Sequence, residues 1–289
     1  MQHLTKRVLA YASLVKFSHS VFAMPFALVG FTYAYASLDI PFDGLLLIKV
    51  VACMIFARNT AMAFNRYADR KIDAMNQRTS MREIPAGKIS ARAALVFCMV
   101  NILLFIGTCA LINPLCLYLS PGALFVVLIY SYAKRFTALC HIILGLSLAI
   151  APVGAYIAVA GKFAPLPMVL SVLVITWVSG FDIIYALQDA EFDSEHKLNS
   201  IPSKLGLKNS LIVSSLLHVV SIAVVLVIAF MIDAGILYYI GAAIFSLLMV
   251  YQHSIVKAND LSRVTLAFGT VNGVASVIYG IFTIADLLI

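Results

Sequence analysis

Two short stretches hold the side chains best suited to chemistry: NRYADRKIDAMNQRT at positions 65–79 and YALQDAEFDSEHK at 185–197. Each contains Asp-x-x-x-Asp, pairing Asp69 with Asp73 and Asp189 with Asp193. A spacing of four puts both carboxylates of a pair on one helical face, about one turn apart, where like charges repel unless something cationic lies between them. Two such pairs facing one cavity suit hard divalent ions bound through oxygen. The alternative is that these are ordinary charged helix ends.

The elements that carry them are unusually apolar. The chain has 289 residues, 63% hydrophobic and 11% charged, with a mean hydropathy of +1.01. That balance excludes an ordinary soluble domain. Apolar runs long enough to cross a hydrocarbon core of about 30 Å recur throughout, without the alternation of a transmembrane barrel. The expected fold is an all-α integral membrane protein, 1–289 forming one polytopic domain. Nine spans are predicted, roughly 11–35, 44–69, 91–112, 115–133, 139–160, 166–188, 209–231, 235–256 and 265–287. No cleavable signal peptide is read at the N-terminus.

Of the 20 Lys and Arg residues, all but Lys49, Arg58 and Lys162 fall on inner ends and loops when the N-terminus is inside. This bias predicts a cytoplasmic N-terminus and cytoplasmic acidic loops in an inner membrane. The net charge of +7 then reflects topology and anionic headgroups, so the lipid bilayer is the expected partner, with no nucleic acid and no obligate protein partner. The five cysteines, Cys53, Cys98, Cys109, Cys116 and Cys140, show no paired spacing and read as packing residues.

Within these helices the polar pattern runs inward. Arg58 stands seven residues before Asn65 and eleven before Asp69; Asp182 stands in the same register to Asp189 and Asp193. Each set shares one helical azimuth. A charge near the bilayer centre costs about 2.5–3.5 kcal/mol on insertion scales, so such residues face a cavity or a partner. An Arg58 to Asp182 pair is one way to offset that cost. The 120-residue offset between the motifs suggests two four-helix units, plus a ninth helix, around a central cavity.

The stretches NRYADRKIDAMNQRT with REIPAG, YSYAKRFT, and YALQDAEFDSEHKLNSIPSKLG together resemble the UbiA-type intramembrane aromatic prenyltransferases, most nearly the 4-hydroxybenzoate polyprenyltransferase branch. The resemblance covers nearly the whole chain. It departs at Arg66, where the family commonly carries Asp, and at Glu83-Ile84, where Pro-Leu is common; Lys16 stands near a common Arg. The Asn-Arg and Arg-Glu-Ile-Pro wording is similar to a branch linked to menaquinone through a carboxylated dihydroxynaphthoate.

The resemblance implies a polyprenyl diphosphate donor, an aromatic acid acceptor and Mg2+ held by Asn65, Asp69, Asp73, Asp189 and Asp193. It implies diphosphate binding by Arg78, Arg82, Lys134, Arg135 and Lys197, with Lys71 a lesser candidate. Arg58 would anchor the acid's carboxylate, and Asp182 beside Tyr185 would stabilise the ring intermediate or accept its proton. Asn272 would line the pocket or bond a neighbouring helix. Lys16 and His19 are further candidates at the first span. Loops 70–90 and 190–208 would cap the site and exclude water. Two other readings stay open: a secondary transporter, and transfer to haem, chlorophyllide or a glycerol phosphate.

Overall fold

The computed structural model describes residues 10–15 and 22–289; Lys16 and His19 lie outside them. Apart from a short turn of helix at 10–14, the chain forms α1 (Met24–Leu38), α2 (Gly44–Met75), α3 (Ala91–Ala110), α4 (Pro114–Ala133), α5 (Cys140–Ala160) and α6 (Pro165–Ala186). A 3-10 turn (Leu187–Asp189) leads into the short α7 (Ala190–Glu195). Then come α8 (Ile201–Met231), α9 (Ile236–Ile255), a π turn (Leu266–Val271) and α10 (Asn272–Leu287).

Among the described residues eight segments are long and apolar enough to cross a membrane, and Met24–Leu38 is a shorter apolar helix. The all-α, multi-pass architecture expected from the sequence is thus present, with eight such segments and one shorter apolar helix where nine spans were expected. Three boundaries differ. The first span, expected from 11, is helical at 10–14 and again from Met24 among the described residues. The second span continues as unbroken helix to Met75, because the charged end it was assigned to leave outside is itself helical. The seventh starts at Ile201 rather than 209: Ser200 accepts from the Ser203 backbone N–H, and the Ser203 hydroxyl returns a bond to the Ser200 N–H. That reciprocal cap opens the helix. Gly206, at φ 73°, then kinks it, a conformation open to glycine at little cost.

The chain divides into two compact units, residues 1–20 with 48–132 and residues 21–47 with 133–289. In the first, Ala63 on α2 packs with Ala94 and Cys98 on α3 and with Leu14 and Ile89. Ser90 caps α3 by accepting from the Ala93 N–H.

In the second unit α6 is the buried centre, with Leu170, Leu173, Val174, Trp177, Val178 and Phe181 in the core. Trp177 packs against Phe26 and Phe181 at ring separations of 5.2 and 5.0 Å. Helices approach closely where side chains are small, as expected where lipid gives no hydrophobic drive to pack. The Pro152 backbone of α5 occupies the space a Cβ on Gly30 would need, and the His218 ring of α8 does the same at Gly180. α1 therefore belongs with the second unit, whereas the sequence pattern grouped it with the first four spans.

Candidate functional site

At the first acidic end, α2 buries Thr60, Ala63, Arg66 and Asp73. Asn65 donates from Nδ2 to Asp69 Oδ2 at 3.0 Å, which puts the two on one face as their spacing predicts. Residues 76–90 fold back as successive turns, Thr79 and Ser80 donating to the Asn76 carbonyl and Arg82 to that of Thr79. The Thr79 hydroxyl donates to the Asp73 carbonyl at 3.1 Å. This brings Arg82 Nη1 to Asp73 Oδ1 at 2.7 Å. The repulsion expected between Asp69 and Asp73 is thus answered by a cation on the outer aspartate.

The same fold-back explains the two departures from the family pattern. Arg66 Nε lies 3.9 Å from Glu83 Oε2, both side chains being almost wholly buried. Glu83 also accepts from the Ser13 hydroxyl. Arg66 and Glu83 are therefore paired charges in one buried cluster, with Asp73 the other acid acting on Arg66.

The second acidic end is built differently. After α6 the helix tightens to the 3-10 turn, and Asp189 and Asp193 are both buried. Lys134, just beyond α4, donates from Nζ to Asp193 Oδ2 at 2.9 Å. Burial works against the Lys134 charge, but Asp193 and, beyond it, Asp189 outweigh this and raise its pKa above the ordinary lysine value. Asn199 N–H donates to the Lys134 carbonyl at 2.6 Å, and Cys140 Sγ to the Asn199 carbonyl at 3.6 Å. The 196–200 loop is thereby tied to the segment bearing Lys134. Arg78, Arg135 and Lys197 are exposed.

Deeper in the second unit Asp182 has a partner absent from the sequence reading: His141 Nδ1 at 2.7 Å from Asp182 Oδ2. The pairing posited with Arg58 was one way to offset the cost of burying Asp182; the structure gives Asp182 a hydrogen-bond partner in His141. His141 was detectable only as a lone polar residue opening an apolar run; nothing in its spacing identifies a partner 41 residues away. Tyr185 stacks on Phe268, ring centres 4.1 Å apart.

Asn272 is fully buried. Its Oδ1 accepts from Trp177 Nε1 at 3.0 Å, and its Nδ2 donates to Gln252 Oε1 at 3.1 Å and to the Ala267 carbonyl at 2.7 Å. Of the two roles considered for it, bonding neighbouring helices is the one this geometry fills.

Do the acidic residues fit magnesium? Every donor is a hard oxygen. Asp73 Oδ2 is buried with no hydrogen-bond partner, as a ligand position requires. Among the described residues no three His, Cys, Asp or Glu side chains converge. One or two carboxylates, with phosphate and water completing the shell, is the way proteins usually hold this ion. The residues fit.

Comparison with known proteins adds the family. The UbiA prenyltransferase family model matches residues 23–278. A 4-hydroxybenzoate octaprenyltransferase of Tolumonas auensis is 28% identical over 244 residues, covering 84% of this chain and 85% of its own. An apo UbiA homolog from Aeropyrum pernix K1 superposes with a TM-score of 0.84 at 30% identity, covering 93% of this chain and 98% of that one. A UbiA homolog from Archaeoglobus fulgidus bound to DMAPP and Mg2+ gives a TM-score of 0.73 at 20% identity, covering 96% and 99%.

Proposed function

This chain belongs to the UbiA prenyltransferase family, and we propose that it transfers a polyprenyl group from an allylic polyprenyl diphosphate to the ring carbon ortho to the hydroxyl of 4-hydroxybenzoate, a step of ubiquinone biosynthesis. It is a multi-pass membrane enzyme; the Lys and Arg bias supports an inner-membrane setting with the N-terminus and both acidic ends cytoplasmic. The acceptor is taken from relatives named for it. The observation that carries the reading is that the outer aspartate of each motif, Asp73 and Asp193, is buried and held by a basic side chain.

Asn65, Asp69, Asp73, Asp189 and Asp193 would hold magnesium, which when bound neutralises charge building on the leaving diphosphate. Arg82 and Lys134 release their carboxylates to donate to diphosphate oxygens, joined by Arg78, Arg135 and Lys197 from the loops. The allylic carbon–oxygen bond breaks with its electron pair on the diphosphate. Arg58 fixes the acid's carboxylate, and the ring carbon ortho to the hydroxyl bonds the allylic carbon. Asp182 accepts the displaced ring proton. The capping loops keep water from quenching the cation.

Purified protein given magnesium, a polyprenyl diphosphate and a panel of aromatic acids tests this. The expected result is equimolar diphosphate and 3-prenylated 4-hydroxybenzoate by mass spectrometry, both lost in Asp69→Ala and Asp189→Ala. Product only with a naphthoate would move the acceptor to the menaquinone branch. Full activity in either alanine variant would remove the metal assignment.

A further inference from the structure

Asp182 is the one acid of the second polar stripe that lies in α6, one turn before its end, and its immediate surroundings are more specific than a cavity-facing charge needs. His141, at the first turn of α5, is completely buried. Its Nδ1 is 2.7 Å from Asp182 Oδ2. Its Nε2 accepts from the Ile201 N–H at 3.3 Å. A backbone N–H aimed at Nε2 requires a lone pair there, so the ring is the tautomer with hydrogen on Nδ1, donating to Asp182.

Both ends of this arrangement are fixed. The Ser179 hydroxyl lies 2.6 Å from the Ile175 carbonyl of α6 and 3.1 Å from the His141 carbonyl of α5, so its one hydrogen is shared between the two helices one turn before Asp182. Ile201 is the first residue of α8, and its place is set by the Ser200–Ser203 cap and by the Asn199 bond to Lys134. Asp182 therefore presents one carboxylate oxygen to a fixed donor, while its side chain stays 15% exposed. An oriented imidazole on one oxygen of a carboxylate, with the second oxygen available, is the geometry of a positioned proton acceptor.

We propose that His141 is the positioning residue for Asp182: it holds the carboxylate oriented so that its second oxygen takes the ring proton lost after carbon–carbon bond formation. The step balances simply. The ring C–H bond breaks, its electrons restore aromaticity, and the proton moves to Asp182, while the Nδ1 hydrogen stays on His141. The proposal rests on the aromatic transfer reading above.

The test uses a ring-deuterated form of the acid that the unaltered protein turns over best. In the unaltered protein proton loss follows a slower ionisation of the diphosphate, so protio and deuterio acids react at equal rates. In His141→Leu kcat falls on the order of 10²-fold while both KM values stay within about threefold, and a primary isotope effect appears. His141→Asn, whose amide nitrogen can reach the place of Nδ1, restores most of the rate; His141→Gln, which reaches the place of Nε2, does not.

A fall in kcat without an isotope effect, equal activity of the Asn and Gln variants, or full activity of Asp182→Asn would each overturn the proposal. If His141→Leu does not fold, judged by its thermal midpoint in detergent, the Asn-to-Gln ranking with the isotope effect in the Gln variant decides. Failure of 4-hydroxybenzoate as acceptor is a separate result, seen in the unaltered protein.

Discussion

The two acidic helix ends share one spacing and are held in place by opposite means. At the first, α2 runs unbroken through Asp69 and Asp73 to Met75, and the cation on Asp73 comes from Arg82, nine residues on. At the second, the helix breaks into a 3-10 turn and a six-residue helix, and the cation on Asp193 comes from Lys134, 59 residues earlier. At the first end the Asp73 pair is local, and the fold-back is tied further only through Glu83 to Ser13 and Ile89 to Leu14 and Ala94. The second requires its helices to be packed before its charges can be matched. The same chemical group has thus been reached once through local turns and once through tertiary structure.

That contrast can be broken by substitution. The largest effect is expected where the ends are alike: Asp73→Ala and Asp193→Ala should each lower the rate of diphosphate release by about 10²–10³-fold, the size of losing one group aimed at developing charge. Unequal losses would mean that the two ends do not share the work.

The next effect belongs to the first end alone. Glu83→Gln strands the buried Arg66 charge and should destabilise the protein by about 3 kcal/mol, whereas replacing both residues by apolar ones of similar size should recover most of it. Thermal midpoints in detergent read both. A double variant as unstable as the single one would show that the pair is not the reason for the burial of either residue.

Smaller still, Arg82→Ala and Lys134→Ala each leave a buried aspartate unpaired, at about 1–3 kcal/mol, since both cations are partly exposed. Hydrogen exchange should then separate the ends. Loosening after Arg82→Ala is confined to 76–90; loosening after Lys134→Ala extends over 133–140 and 190–200. The Lys134 pair is also insensitive to ordinary pH. With its pKa raised above 10.5 by Asp193 despite burial, its contribution is complete below that value and is lost only as pH climbs through the higher folded one. Stability of the 190–200 segment should therefore not change between neutral and mildly alkaline pH.

The smallest effect is at the start of α8, where Gly206→Ala forces a side chain into φ 73° and should cost about 1–2 kcal/mol without touching either acidic end.

Much of this was legible in the sequence for physical reasons. Bilayer thickness sets run length, so the spans declared themselves. Helical periodicity aligned Asn65 with Asp69, which the structure joins by a hydrogen bond. The residues from Asp73 to Arg82 were legible as candidates because they are local. His141 with Asp182, and Lys134 with Asp193 as a pair, were not, since contacts across 41 and 59 residues leave no periodic trace. Asn272 illustrates a further limit: a lone amide in an apolar run signals a polar demand, and only the packed helices reveal that Trp177 and Gln252 make it. Arg66 was anomalous only while read apart from Asp73 and Glu83.

The central claim, that both acidic ends serve one magnesium-dependent diphosphate chemistry, is tested most directly by binding. The affinity of the purified protein for a non-cleavable polyprenyl thiolodiphosphate should be measured across a magnesium titration, in the unaltered chain and in Asp69→Ala and Asp189→Ala. The account predicts that magnesium tightens binding at least tenfold, an interaction of about 1.4 kcal/mol, and that either substitution abolishes that gain. Retention of the full magnesium effect in either variant would contradict it.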